Sequence, residues 1–90
     1  MTRIVRPGHA GTLESSDIMI TVAPGAAGSG VGIELTSPVL KQFGAQIREV
    51  ILKTLAEESV DDVIVSANDK GALDCTIRAR LKTALSRAQA

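Results

Sequence analysis

Aromatic residues are almost missing from this 90-residue chain, which has one Phe, no Trp and no Tyr. That removes the stacking platforms on which single-stranded nucleic acids are held. Net charge is missing as well, since 10 Lys+Arg stand against 10 Asp+Glu. A nucleic-acid binder carries a basic footprint, and this composition has none. A single cysteine cannot form a disulfide within the chain, and one free thiol suits a reducing compartment. No apolar run approaches the roughly 18 residues of a membrane span. The stretch Met1–Gly8 has no apolar core of a secretory signal. The expected localisation is the cytoplasm, with neither a membrane nor nucleic acid among the partners.

The remaining composition suffices for one packed domain. A hydrophobic fraction of 44% and a mean hydropathy of +0.19 exclude the low-hydropathy, high-charge signature of disorder. A chain of this mass should fold to a surface of roughly 5,000 Å², which is a single core over residues 1–90.

Residues 1–17 mix Pro, Gly, Thr and Ser without a sustained period. They read as a flexible, loop-like segment with a short extended piece at Thr2–Arg6. Asp17–Val22 is rich in β-formers, with Ile18, Ile20 and Val22 on one face. Val31–Thr36 alternates, with Val31, Ile33 and Leu35 opposite Gly32, Glu34 and Thr36. The Gly/Ala/Ser stretch Ala23–Gly30 between them is a loop, and the two strands should form an antiparallel hairpin.

Ser37-Pro38 marks a helix start, with serine as N-cap and proline at the first helical position. Leu40, Phe43, Ile47, Val50, Ile51 and Leu55 then form one apolar stripe, ending at Glu57-Glu58-Ser59. Val63–Val65 predicts a third strand, and Asn68-Asp69-Lys70-Gly71 a turn. A last helix covers Ala72–Ala88, with Leu73, Ile77, Leu81 and Leu85 spaced by four. The order is β-β-α-β-α, an α+β domain in which a small sheet packs against two helices and the first helix crosses between strands two and three.

Groups that carry chemistry are few. His9 and Cys75 each stand alone, so no metal-ligand spacing exists. Cys75 falls in the first turn of the last helix, where a half-buried structural thiol is the favoured reading over an activated one. Gly25, Gly28, Gly30 and Gly32 lead into a strand rather than a helix and lack a following Gly-Lys-Ser/Thr, so they do not make a phosphate loop. Arg78, Arg80, Lys82 and Arg87 give the last helix a basic face, which is either solvated or a docking surface for an acidic protein. Glu57, Glu58, Asp61 and Asp62 read as a solvated helix end and turn. Ser15 and Ser16 lie in the polar stretch Ala10–Asp17 with no base beside them in sequence, and a serine nucleophile needs both a base and an oxyanion hole. They are either exposed hydroxyls that another enzyme modifies or ordinary turn residues. No catalytic residue is assigned.

Three segments together resemble one family: Ala10-Gly-Thr-Leu-Glu-Ser-Ser-Asp17, Gln42-Phe-Gly44, and Asp69-Lys-Gly-Ala-Leu-Asp-Cys75 followed by Arg78-Ala-Arg80. The chain resembles the acyl carrier protein, or gamma subunit, of citrate lyase over nearly its whole length. The resemblance implies a non-catalytic carrier subunit in citrate fermentation. It implies a covalently attached 2'-(5''-phosphoribosyl)-3'-dephospho-coenzyme A arm, joined by a phosphodiester to Ser15, with Ser16 as the rival position. It further implies that the arm shuttles acetyl and citryl thioesters between the transferase (alpha) and lyase (beta) subunits as citrate is cleaved to acetate and oxaloacetate. Holo-citrate lyase synthase would attach the arm, and citrate lyase ligase is a further implied partner. Fatty-acid carrier proteins are acidic helical bundles with Asp-Ser-Leu at a helix head, a pattern this neutral, strand-containing chain does not share. The alternatives are an interaction module docking through the basic last helix, or the carrier of a related decarboxylase with the same prosthetic group.

Overall fold

In the computed structural model, which describes residues 3–89, six elements follow one another: β1 (Gly8–Ala10), β2 (Ile18–Pro24), β3 (Val31–Thr36), α1 (Leu40–Glu57), β4 (Val63–Asp69) and α2 (Asp74–Ala88). The strands form one sheet in the order β1-β2-β4-β3. β2 and β4 alternate strictly, burying Ile18, Ile20 and Val22 and Val63, Val65 and Ala67 while their neighbours face outward. Period-2 burial on one face only means that both helices cover the same side of the sheet. Their buried stripes, Ile47, Ile51 and Leu55 from α1 and Ile77, Leu81, Ala84, Leu85 and Ala88 from α2, complete a single core. Full burial of each Ile or Leu contributes roughly 1.5–3 kcal/mol before conformational entropy is counted. Thr54 sits in this core at 1% exposure and stays satisfied by donating to the Val50 carbonyl at 2.8 Å. The surface, 5205 Å², is close to the value expected from mass.

The α+β class and the helical crossover stand as predicted, but the hairpin does not. β2 and β3 run in opposite directions without touching, because β4 lies between them, antiparallel to β2 and parallel to β3. The Gly25–Gly30 loop therefore steps over the start of β4, a lateral distance of about 9.5 Å, or two strand spacings. Asp62 holds it there. Its carboxylate accepts the Gly28 and Gly30 N–H groups at 3.0 and 2.9 Å, and its carbonyl accepts Gly25 N–H at 2.8 Å. Those two amides keep the Asp62 carboxyl below its ordinary pKa. Sequence proximity favours a hairpin, whereas the observed order places both strictly alternating strands, β2 and β4, in the interior of the sheet.

A leading strand was also absent from the sequence reading. The strand falls at Gly8–Ala10; of the expected extended piece at Thr2–Arg6 the structure has the single bridge at Ile4, and Thr2 lies outside the described residues. Gly-His-Ala has no β-former, so only packing reveals it. A Cβ on Gly8 would sit 2.5 Å from the Ala84 carbonyl oxygen and 2.9 Å from Ala88 Cβ, so β1 reaches α2 only because all three residues are small. Nearby, Ile4 is buried and bridges Gln89.

Element ends shift as well. α1 begins at Leu40 with Val39 at the cap, not with Ser37-Pro38, which form a preceding turn. β4 runs through Asp69 instead of ending at Val65, and α2 begins at Asp74. Leu40 and Phe43 from the α1 stripe stay 42% exposed, and Leu73, assigned to the α2 stripe, is 69% exposed. The first turns of α1 thus extend past the core at the end of the sheet where β3 and β4 finish.

Candidate functional site

The two serines are the central residues of a turn closed by the Asp17 N–H donating to the Glu14 carbonyl at 3.1 Å. Ser16 adopts φ +66°, the left-handed conformation that the second central residue of a type II turn requires. Both serines are exposed, and neither hydroxyl has a hydrogen-bond partner among the described residues. The turn is nevertheless tied down at its base. Gly11 takes φ +101°, and a Cβ there would meet the Ile18 carbonyl oxygen at 1.8 Å, so the chain passes against the start of β2 only with glycine at this point.

Asp17 is the anchor. One carboxylate oxygen accepts from the Ile18 N–H at 2.7 Å and from Arg80 Nε at 3.0 Å; the other accepts from the Thr12 hydroxyl at 2.7 Å and from Arg80 Nη2 at 2.9 Å. Its side chain is only 14% exposed. The Arg80 fork first, then the Thr12 hydroxyl and the Ile18 amide, hold the Asp17 carboxyl far below the usual carboxylate range. Asp17 in turn raises the Arg80 guanidinium. A bidentate arginine–carboxylate pair adds geometric constraint as well as attraction.

The backbone makes a second tie. The Ser16 N–H donates to the Lys70 carbonyl at 2.8 Å, and the Lys70 N–H donates to the Asp17 carbonyl at 2.9 Å. The serine turn therefore lies against the β4–α2 connection. Asp69, read from sequence as part of a turn, is the buried last residue of β4. It accepts the Ser37 hydroxyl at 2.8 Å and the Ala72 N–H at 2.9 Å, joining the entry to α1 with the entry to α2.

Beside that junction lies an open groove of about 620 Å³. Val39 at the cap of α1, with Phe43 and Ile47 of the helix, forms one wall, and Gly71, Leu73 and Cys75 form the other. Gln46 Nε2 crosses to both Asp74 oxygens at 3.1 and 3.2 Å. The three segments singled out in the sequence thus converge at one end of the molecule. Cys75 is exposed here rather than half-buried.

The basic face of α2 is largely engaged within the chain. Arg78 pairs with Glu57 and keeps that carboxyl below its ordinary pKa. Arg80 holds Asp17, and Arg87 Nη1 donates to the His9 carbonyl at 2.8 Å. Of the four cations, Lys82 alone has no direct partner among the described residues, which argues against a docking surface built on this helix. Among the described residues no cluster of His, Cys, Asp and Glu could hold a metal ion. Among the described residues no helix is long and apolar enough to cross a membrane. From sequence, Arg80 belonged only to a solvated or docking basic face, and Asp17 was quoted in a motif without a role. The only available signal was an acid directly after the serine pair and two arginines, Arg78 and Arg80, between the core positions Ile77 and Leu81 of α2.

The family model described as ACP: Malonate decarboxylase delta subunit (MdcD) matches residues 5–88. The chain is 61% identical over 85 residues to the citrate lyase acyl carrier protein of Lacticaseibacillus casei (strain BL23), spanning 94% of this chain and 82% of that one. It is 55% identical over 86 residues to the citrate lyase acyl carrier protein of Cronobacter sakazakii (strain ATCC BAA-894), spanning 96% and 87%. Among solved structures, it superposes with a TM-score of 0.74 on a chain of a Pseudomonas malonate decarboxylase hetero-tetramer in complex with malonate, at 17% identity over 93% of this chain and 89% of that one. This last likeness is one of fold.

Proposed function

The chain belongs to the citrate lyase acyl carrier protein family, and from that premise we propose that it carries 2'-(5''-phosphoribosyl)-3'-dephospho-coenzyme A on Ser15 as the non-catalytic carrier subunit of citrate lyase. When bound, the group supplies a thiol on which acetyl and citryl loads are held as thioesters, activated for exchange and for carbon–carbon cleavage by the transferase (alpha) and lyase (beta) subunits. Holo-citrate lyase synthase would attach it, citrate lyase ligase would be a further partner, and the complex would work in the cytoplasm.

The observation that carries this reading is the turn itself: two exposed hydroxyls at its apex, held from below by Asp17 and Arg80. A hydroxyl that is to be a substrate needs access and a fixed position rather than a local base. Ser15 fits because it precedes the left-handed residue and its backbone is not tied to Lys70, whereas the Ser16 N–H is held by the Lys70 carbonyl. The flexible segment on this reading is the apex of the turn, with Gly8–Ala10 paired to β2 and Asp17 held by α2. Tethering raises the local concentration of the load at each partner site.

Intact mass after co-expression with the prosthetic-group synthesis and transfer enzymes tests this. One adduct on the wild type and on Ser16→Ala, absent from Ser15→Ala, is expected. Loss only in Ser16→Ala would move the site by one residue. No adduct, with the transfer enzyme active on another carrier, would sink the reading. A carrier for a related decarboxylase is the second reading, favoured by the description of the matching family model. The substrate cleaved by the co-purified partner subunits separates the two.

A further inference from the structure

We infer that the groove between α1 and the Gly71–Cys75 connection is the resting place of the uncharged, thiol-bearing end of the arm carried on Ser15. This rests on the carrier reading above and goes beyond it by naming the residues that hold the arm between visits to its partners.

Position is the first argument. The Ser16 N–H to Lys70 carbonyl bond fixes the serine turn beside Gly71, which lines the groove. Standard Cα spacings then place the Ser15 Cα within about 13 Å of the Gly71 Cα. A tethered group explores that distance at high effective concentration, so even weak affinity holds it. Size is the second argument. At about 620 Å³ the groove falls within the range of small-molecule sites. Chemistry is the third. Phe43 and Leu73 expose apolar surface into solvent at 42% and 69%, while Gln46, Asp69 and Asp74 bring polar groups to the same place. The carboxylates disfavour phosphate, so the phosphorylated part of the arm stays outside, near exposed Lys70. An amide-rich chain ending in a thiol or neutral thioester matches an apolar floor with Gln46 and Asp74 at its rim.

The test compares amide ¹H–¹⁵N spectra of apo and holo protein, with attachment verified by mass. Shifts are expected at Phe43, Ile47, Ala72 and Leu73 as well as at residues 13–17. In Leu73→Asp, at a position exposed enough to tolerate the change, the groove shifts should vanish while those of the serine turn persist. Phe43→Asp should behave the same way from the opposite wall. Alkylation of the arm thiol, followed by mass with Cys75 labelling resolved by peptide, should accelerate about threefold in either variant if about two-thirds of arms rest in the groove. Holo protein with shifts confined to residues 13–17, or with equal shifts on the outer sheet face at Thr21 and Ser66, would overturn the groove and leave the carrier intact. Failure of attachment would instead overturn the carrier reading and this one with it.

Discussion

Arg80 grips both carboxylate oxygens of Asp17 across 63 residues of chain, with Nε to Oδ1 at 3.0 Å and Nη2 to Oδ2 at 2.9 Å. The pair joins α2 to the residue directly after the serine turn. It makes the position of Ser15 and Ser16 a property of the whole fold rather than of the local sequence.

Replacing Arg80 should therefore disturb presentation more than folding. Arg80→Lys keeps the charge and loses the fork. It should slow transfer of the arm on the order of tenfold, through misplacement of the acceptor hydroxyl. Hydrogen exchange at residues 15–18 should accelerate while the α2 and β4 amides keep their protection. Unchanged transfer and exchange would show that the pair is dispensable for the turn.

Acid should act through Asp17. Its folded pKa is depressed, while an unfolded aspartate titrates near 3.9. The stabilisation from the ionised group is therefore whole above about pH 5 and is lost as pH falls through the unfolded value toward the lower folded one. Glu57 and Asp62, also depressed, contribute with the same sign. Tm measured between about pH 2.5 and pH 7 should fall on the acid side, and Asp17→Asn should flatten that limb. An unchanged acid limb in Asp17→Asn would remove Asp17 from the account.

Gly11→Ala meets two obstacles, a φ of +101° and a carbonyl oxygen 1.8 Å from the new Cβ. The cost should exceed about 1 kcal/mol. Either denaturant unfolding registers this as a lower midpoint, or the chain before Ile18 detaches and limited proteolysis cuts there. Wild-type values in both assays would contradict the packing of this segment.

Asp69 is nearly fully buried and serves two donors, the Ser37 hydroxyl and the Ala72 N–H. Asp69→Ala leaves both unpaired at the groove margin and should cost about 1–3 kcal/mol per group left buried. Ser37→Ala should cost less, since the Ala72 contact remains. Equal midpoints for the two variants in urea would argue that only the Ser37 bond matters.

Where periodicity was strong, the sequence was readable. Ile47, Ile51 and Leu55, and Ile77, Leu81 and Leu85, are core positions in the structure as their spacing required, and β2 and β3 begin within a residue of their predicted starts. β1 was illegible because Gly8, His9 and Ala10 have no strand preference. The role of Gly8 and Ala10 is to be small enough for this edge strand beside β2 to pack against α2. The stripe of α1 was overread at Leu40 and Phe43, because period alone does not tell how far the sheet beneath a helix extends.

By itself the sequence determined the class of fold, the helices and the central positions of their buried faces, and the motif holding Ser15 and Ser16. These are local, set by side-chain periodicity and turn chemistry within a few residues. Only the tertiary structure decided that β4 separates β2 from β3, that Arg80 reaches Asp17, and that the serine turn rests on Lys70 beside the Phe43–Leu73 groove. Each of these joins residues far apart in the chain, and such pairings are fixed by which strand the core buries most completely, a condition that no local window of sequence contains.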